Sequence, residues 1–290
     1  MTEKKKVVVA MSGGVDSTLT ARLPQEAGYD VYGATMNQFD GQDLTEAQEM
    51  ADFLGIPHKV IDVRKMYQDV VLSYFVDSYK NGITPNPCMV CDFKIKFGFF
   101  YDTVRAYFDC PYFATGHYAR ITYDGTRGKY QVEKAADIAK DQSYMMYHLT
   151  QDQLAHILFP LGRMYKKDTR RISEEKGLPT YNKAESQDIC FLTSEKSYAE
   201  FLQNHAPEAF RPGNIIDTKG RILGRHKGLP FYTIGQRKGL GIPSNRPLYV
   251  KAIDPKSNQV VLSENDALFS QQLTGENFNW IAWEAPPRQF

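Results

Sequence analysis

The 290-residue sequence has no excess of either charge: 35 Lys and Arg face 34 Asp and Glu, for a net charge of +1. Overall charge therefore gives no sign of a nucleic-acid partner, although a local basic surface stays open. Long apolar runs are missing too. Val7–Met11 is too short for a signal-peptide core behind the polar, basic Met1–Lys6. Nothing approaches membrane-spanning length, so a cytoplasmic protein without a membrane partner is expected. Cysteine is scarce, with only Cys88, Cys91, Cys110 and Cys190. Without a secretory signal these read as cytosolic thiols or ligands, not as a disulfide framework. Internal repeats and low-complexity segments are absent as well.

What is present begins at Val7–Thr20, V-V-V-A-M-S-G-G-V-D-S-T-L-T. A continuous apolar run predicts a strand buried on both faces. Ser12-Gly13-Gly14 then turns the chain into a helix opened by Asp16-Ser17. Such a turn lets backbone N–H groups approach phosphate, and the helix dipole favours the anion. No Lys-Ser/Thr pair follows the glycines, which excludes a Walker loop. The loop reads as a nucleotide site with pyrophosphate against it, the Ser12 and Ser17 hydroxyls on phosphate and Asp16 beside magnesium. The plainer alternative is a tight turn capped by Ser12.

The pattern then alternates. A helix over Val15 to about Ala27 contains Pro24, which predicts a kink or an early end. Strands are expected at Tyr29–Met36 and His58–Val63, and helices at Leu44–Leu54 and Tyr67–Tyr79. Residues 81–91 form a Pro/Gly-rich loop, a helix resumes over 94–108, and a short strand at Tyr112–Thr115 enters Gly116-His117. This alternation predicts an α/β fold with a doubly wound parallel sheet, whose ligands sit beyond the carboxyl ends of the strands. Ser12–Ser17, Met36 and Gly116-His117 all fall there. A hairpin is expected around Asp124-Gly125, and residues 143–205 are mostly helical in pattern. From Phe210 short β-branched runs punctuated by Gly and Pro predict a small β-rich domain, with the boundary near Ala206–Pro212.

Two cysteine stretches carry candidate chemistry. In Asn86-Pro87-Cys88-Met89-Val90-Cys91 the thiols can bind a metal, form a redox pair or supply a nucleophile, and a helix N-terminus there favours thiolate at Cys91. No second Cys-x-x-Cys is present for a tetrahedral zinc site. Cys190, flanked by Ile189 and Phe191, reads by itself as a core residue, as does Cys110. Lys140-Asp141-Gln142-Ser143 reads as a helix cap, and His117 equally as a structural histidine or a ligand contact.

Taken together, A-M-S-G-G-V-D-S, T-P-N-P-C-x-x-C-D-x-x-I-K-F, A-T-G-H-Y-A-R, K-D-Q-S-Y, S-Q-D-I-C-F and Y-T-I-G-Q-R-K-G-L-G-I resemble the tRNA-specific 2-thiouridylases, called MnmA or TrmU. The motifs occur in family order across nearly the whole chain. The resemblance implies an ATP-pyrophosphatase (PP-loop) domain over 1–206 with a helical tRNA-binding part over about 143–206. A small central β-rich domain over 207–270 and a remnant of a C-terminal β-barrel over 271–290 would follow. It implies ATP-dependent 2-thiolation of the wobble uridine of tRNAs for Lys, Glu and Gln, with Mg²⁺, through adenylation of the uracil C2 oxygen. Cys190 is carried over as the persulfide-bearing cysteine and Cys91 as the catalytic one, the two ending as a disulfide that external thiols reduce. Ala10, Met11, Ser12, Gly13, Gly14, Val15, Asp16, Ser17, Met36 and Gly116 match ATP contacts. Asn86, Pro87 and Cys88 match the segment facing the target base, and His117, Lys140, Asp141 and Gln142 match tRNA contacts. The implied partners are tRNA and a persulfide donor, either a sulfur relay protein or a cysteine desulfurase.

Two features depart from the family. Many relatives carry Asp where this chain has Cys88, so a 4Fe–4S cluster on Cys88, Cys91 and Cys190 is the alternative to the persulfide route. Residues 276–283 would be a lone first barrel strand, expected to pack on another surface or to be mobile. A tRNA-binding or sulfur-carrying protein that does not complete catalysis is the competing reading of another class.

Overall fold

The computed structural model describes residues 4–184, 189–192 and 197–284. Contacts divide the chain into two compact units. The first comprises Met1–Tyr67, Met89–Ser186 and Asn277–Phe290, and the second Gln68–Cys88 and Gln187–Glu276.

The first unit is built on five parallel strands: β1 Lys6–Ala10, β2 Asp30–Asn37, β3 His58–Asp62, β4 Tyr112–Ala114 and β7 Ile157–Leu158. Their order is β3-β2-β1-β4-β7. Val7, Val8 and Val9 are fully buried because both faces of β1 are covered, which is why no polar residue interrupts the run. From β1 the chain winds outward to β2 and β3, then returns to place β4 on the other side of β1. The order therefore reverses between β1 and β4, where a crevice opens beyond their carboxyl ends. Helix α1 (Val15–Glu26) follows β1 and helix α2 (Thr45–Leu54) follows β2. The apolar face read for α2, Ala47, Met50, Ala51 and Leu54, is the face it buries, and Gly55 ends it at φ 65°. Pro24 sits in the last turn of α1, which ends two residues later at Glu26, where the Ala27 N–H closes the helix on the Leu23 carbonyl.

Three local expectations are corrected. Helical structure starts at Pro87, in the short helix Pro87–Val90, and runs into the π-helical Cys91–Phe100. Cys91 thus lies a full turn past the start, where the dipole has less effect on a thiol than at the N-terminus. β7 interrupts the region read as helical; two residues are too few to show a period of 2. Residues 276–283 form no strand. The expected packing on another surface does occur: from Asn277 they belong to the first unit, where Asn279 Nδ2 donates to the Tyr147 and Leu149 carbonyls at 2.9 and 3.0 Å, and Gln151 Nε2 donates to the Ile281 carbonyl at 2.7 Å.

In the second unit the four β runs read from the sequence appear as β8 Gly213–Asp217, β9 Ile222–His226, β10 Tyr249–Asp254 and β11 Gln259–Ser263, in the order β10-β11-β8-β9. Ile215, Val250, Val260 and Leu262 fill its core. The helices Ser73–Lys80 and Tyr198–His205 belong to this unit through rings: Phe75 meets Phe191 at 5.1 Å and Phe201 at 5.8 Å, and Tyr79 stacks on Tyr198 at 5.3 Å. Aromatic packing thereby extends this unit beyond the composition change at residue 206.

Candidate active site

A cavity of about 240 Å³ lies at the carboxyl ends of β1, β2 and β4 in the first unit. Its wall includes Ala10, Met11, Ser12, Asp16, Ser17, Met36, Gly116, His117 and Gln142 from the sequence candidates, joined by Ala34, Lys96, Phe100 and Thr115. The turn below it is held rigidly. Met11 N donates to the Ala34 carbonyl at 2.8 Å, and Thr35 Oγ1 donates to the Met11 carbonyl at 2.8 Å. The Ser12 and Ser17 hydroxyls meet at 3.2 Å, and Ser17 Oγ donates to the Gly14 carbonyl at 3.1 Å. Gly14 is the N-cap of α1, and no side chain caps the helix, so the Ser12 cap is not what the structure forms. The first-turn N–H groups are left for another acceptor.

Around the cavity, two glycines sit where a side chain would crowd a neighbouring element. Gly13 has φ 73°, and a Cβ there would stand 2.7–2.9 Å from Glu46 and the Ala47 nitrogen at the start of α2. Gly116 brings the chain after β4 against α1, where a Cβ would meet Asp16 and Ser17 at 3.1–3.3 Å. Both positions trade a side chain for close approach of two backbones.

Asp16 is held in an ion pair beside the cavity. Lys166 Nζ, at the start of the helix Lys166–Glu175, lies 2.7 and 2.6 Å from its two carboxylate oxygens, and Tyr118 Oη donates to it at 3.0 Å. Lys183 approaches the same turn, 3.5 Å from the Gly13 carbonyl, and pairs with Glu46. Among the described residues no three His, Cys, Asp or Glu side chains gather closely enough to hold a metal ion. No step below is routed through a magnesium ion at Asp16 or through a cluster on Cys88, Cys91 and Cys190.

Asp92, Lys96 and His117 form one polar group, of which Lys96 and His117 line the cavity. Asp92 has only 1% of its side chain exposed. It pairs with Lys96, one turn further along the same helical run, and His117 Nε2 lies 3.2 Å from its second oxygen. Burial works against its charge, but Lys96 and then His117 outweigh it and hold Asp92 well below the usual carboxylate range. Burial, reinforced by Lys96, pushes His117 below the usual imidazole value. His117 Nδ1 lies 2.7 Å from Thr115 Oγ1. Asp92 and Lys96 were not singled out from the sequence; their i, i+4 spacing with opposite charge was the available signal.

The remaining candidates are distributed as follows. Val15 is buried beneath the turn. Cys91 is buried in the first unit, and Gln38 Nε2 donates to its sulfur at 3.7 Å. Asp141 accepts from Ala135 N at 2.7 Å and from Ser143 Oγ at 2.8 Å, so it ties two loops rather than capping a helix. Gln142 is bound at both ends to the Tyr118 backbone, which fixes its place on the wall. Lys140 ends a short 3₁₀ turn. Asn86, Pro87, Cys88 and Cys190 belong to the second unit. There Cys190 is exposed, correcting the core reading, because its neighbour Phe191 is the buried anchor. Cys110 is buried as read.

Behind Phe97, burial pushes His148 down to about 4 from an ordinary 6.5. The folded chain holds it neutral, so as pH falls below 6.5 the unfolded chain takes up the proton first. Stability is complete above 6.5 and drains between 6.5 and about 4. The urea midpoint of His148→Phe is expected to fall less steeply over that window than wild type. Some slope remains from His58, His117 and His226, also lowered by burial. Equal slopes for the two proteins would refute this assignment.

Sheet order, glycine turn and strand-end cavity define an α/β protein of the HUP class. A family model described as the tRNA methyl transferase HUP domain matches residues 5–194, and one described as the tRNA methyl transferase PRC-barrel domain matches residues 199–264. The chain belongs to the tRNA-specific 2-thiouridylase (MnmA) family. It is 42% identical to tRNA-specific 2-thiouridylase MnmA of Clostridioides difficile over 96% of this chain and 80% of that one. Identity to the protein of the same name is 44% in Moorella thermoacetica (97% and 82% covered) and 45% in Trichormus variabilis (97% and 81%).

Proposed function

We propose that the chain is an ATP-dependent tRNA-uridine 2-sulfurtransferase acting on the wobble position of tRNA. The observation that carries this reading is the strand-end cavity, whose lining gathers Ser12, Asp16 and Ser17 of the glycine turn with Met36, Gly116 and His117. ATP lies with its pyrophosphate against Ser12–Ser17 and its adenosine toward Ala34 and Met36. The uncapped first turn of α1 supplies N–H donors to the phosphate. Methyl transfer, the reaction in the family model's description, gives no task to a pyrophosphate turn. Thiolation uses both the turn and the thiols.

The uracil C2 oxygen attacks the α-phosphorus, the bond to the β-phosphate oxygen breaks, and pyrophosphate leaves with the electron pair. The base's N3 proton passes to solvent. AMP is now a good leaving group at C2. The terminal sulfur of a Cys190 persulfide attacks C2 and expels AMP. The Cys91 thiolate then takes the Cys190 sulfur, releasing the thiouridine and leaving a Cys91–Cys190 disulfide for external thiols to reduce. Gln38 donates an N–H to the Cys91 sulfur and so holds it in place. Asn86, Pro87 and Cys88 face the flipped base, while His117, Lys140, Asp141 and Gln142 serve the tRNA side. The sulfur arrives from a persulfide-bearing donor protein. A cytoplasmic setting suits both partners, and among the described residues no helix is long and apolar enough to cross a membrane.

Purified chain incubated with ATP, a persulfide donor and unmodified tRNA should yield thiouridine and AMP in equal amounts. AMP without thiouridine would favour a different adenylating enzyme. Binding of tRNA with neither product would favour the carrier reading.

A further inference from the structure

The adenylating step proposed above places growing negative charge on the α-phosphate, and the glycine turn by its position serves the leaving pyrophosphate instead. Asp16 brings no positive charge to the cavity, and its own charge is matched by Lys166. Lys96 is the only Lys or Arg among the described residues that line the cavity. Its side chain is 23% exposed, so it is neither sealed into the core nor free in solvent. Behind it Asp92 is almost wholly buried, a costly place for a carboxylate unless it is paired and hydrogen-bonded. The pairing runs forward to Lys96 and sideways to His117, whose Nε2 also lies 3.5 Å from Lys96 Nζ. Thr115 fixes the other ring nitrogen of His117. A buried acid, a neutral imidazole and a hydroxyl thus hold one ammonium at the cavity wall. Such a preorganised cation costs no reorganisation when charge develops in front of it.

We infer that Lys96 is a catalytic cation of the adenylation step, stabilising the α-phosphate as the bond to the uracil oxygen forms and the bond to pyrophosphate breaks, and that Asp92 is its positioning residue. The inference rests on the proposed function. The cation donates hydrogen bonds and transfers no proton, and the leaving pyrophosphate carries away the electron pair. Asp92 acts only through Lys96 and touches no substrate.

The test is single-turnover pyrophosphate release from ATP with saturating unmodified tRNA, alongside the affinity for a non-hydrolysable ATP analogue. Lys96→Met should slow release about 100-fold, the loss typical of one electrostatic donor in a closed site, with analogue affinity within about threefold of wild type. Lys96→Met leaves a buried carboxylate without its ammonium, which costs stability, so Asp92→Asn/Lys96→Met, which removes both charges, is read beside it. The same loss is expected in the double variant. Lys96→Arg should recover about tenfold. Asp92→Asn alone keeps the ammonium but loosens it, and should lower the release rate about tenfold without changing the KM for ATP.

A double variant releasing pyrophosphate within about threefold of wild type overturns the inference while leaving the proposed function standing. So does a loss that lies wholly in analogue affinity. A wild-type chain that adenylates no tRNA overturns the functional reading, and this inference with it.

Discussion

Cys91→Ser and Cys190→Ser are each expected to remove thiouridine formation, by at least about 10³-fold, while pyrophosphate release stays within about threefold of wild type. The split follows from the proposed division of labour between the cavity and the thiols. The cavity proposed to take the nucleotide is walled in part by Ser12, Asp16, Ser17, Met36 and Gly116, and Cys91 is not among the described residues that line it. Removing a thiol therefore leaves activation intact and blocks only sulfur delivery. Serine keeps the shape but its hydroxyl neither carries a persulfide sulfur nor exchanges with one. Gel mobility of thiolated tRNA on a mercury-containing gel reads the first quantity, and released pyrophosphate the second. If either variant thiolates at the wild-type rate, its cysteine has been given the wrong role. If either stops releasing pyrophosphate, the thiols act before activation rather than after it.

Gly13→Ala is expected to lower nucleotide affinity about 100-fold or more, well beyond the roughly 1 kcal/mol that alanine costs at a positive φ. The excess comes from where the new methyl would stand. It would lie 2.7 Å from Glu46 Cβ, 2.8 Å from the Glu46 carbonyl carbon and 2.9 Å from the Ala47 nitrogen. Two of those three atoms are backbone in the first turn of α2 and cannot swing aside as a flexible side chain would. The turn must move instead, and with it the N–H groups that would face phosphate. Gly28→Ala separates the two effects. Gly28 has φ 86° with nothing within 4 Å of its absent Cβ, so it pays the conformational cost alone. A fall in melting temperature of about 2–4 °C with unchanged nucleotide affinity is expected there. Equal nucleotide affinities for the two variants, by titration calorimetry with an ATP analogue, would remove Gly13 from the site.

Much of the nucleotide half was legible because its signals are local. Val7–Val9 carry no polar residue, since β1 is covered on both faces. The four residues that α2 buries repeat at helical spacing, and Gly55 closes that helix in the left-handed region. The β runs beyond Phe210 alternate with turns, and each became a strand. What misled was also local. Cys190 sits between two apolar residues and reads as core, yet only Phe191 is anchored, on Phe75 and Phe201. Pro87 looked like part of a loop but opens a helix, as proline does at a first helical position.

The sequence by itself determined the parallel α/β unit, the glycine turn at its first crossover, the β-rich unit and the residues to compare with a family. Each of these rests on a period or on a backbone requirement written within a few consecutive residues. Only the tertiary structure decided which charges meet. Lys166 reaches Asp16 across 150 positions, and Lys183 reaches Glu46 across 137. Asp92 is buried between Lys96 and His117 because the strand-end turn carrying His117 packs against the helical run carrying the other two. Pairing of this kind depends on distance in space and on exclusion of water, neither of which is encoded at any single position. For that reason the turn without a Walker lysine could be read from sequence, and the ammonium facing its cavity could not.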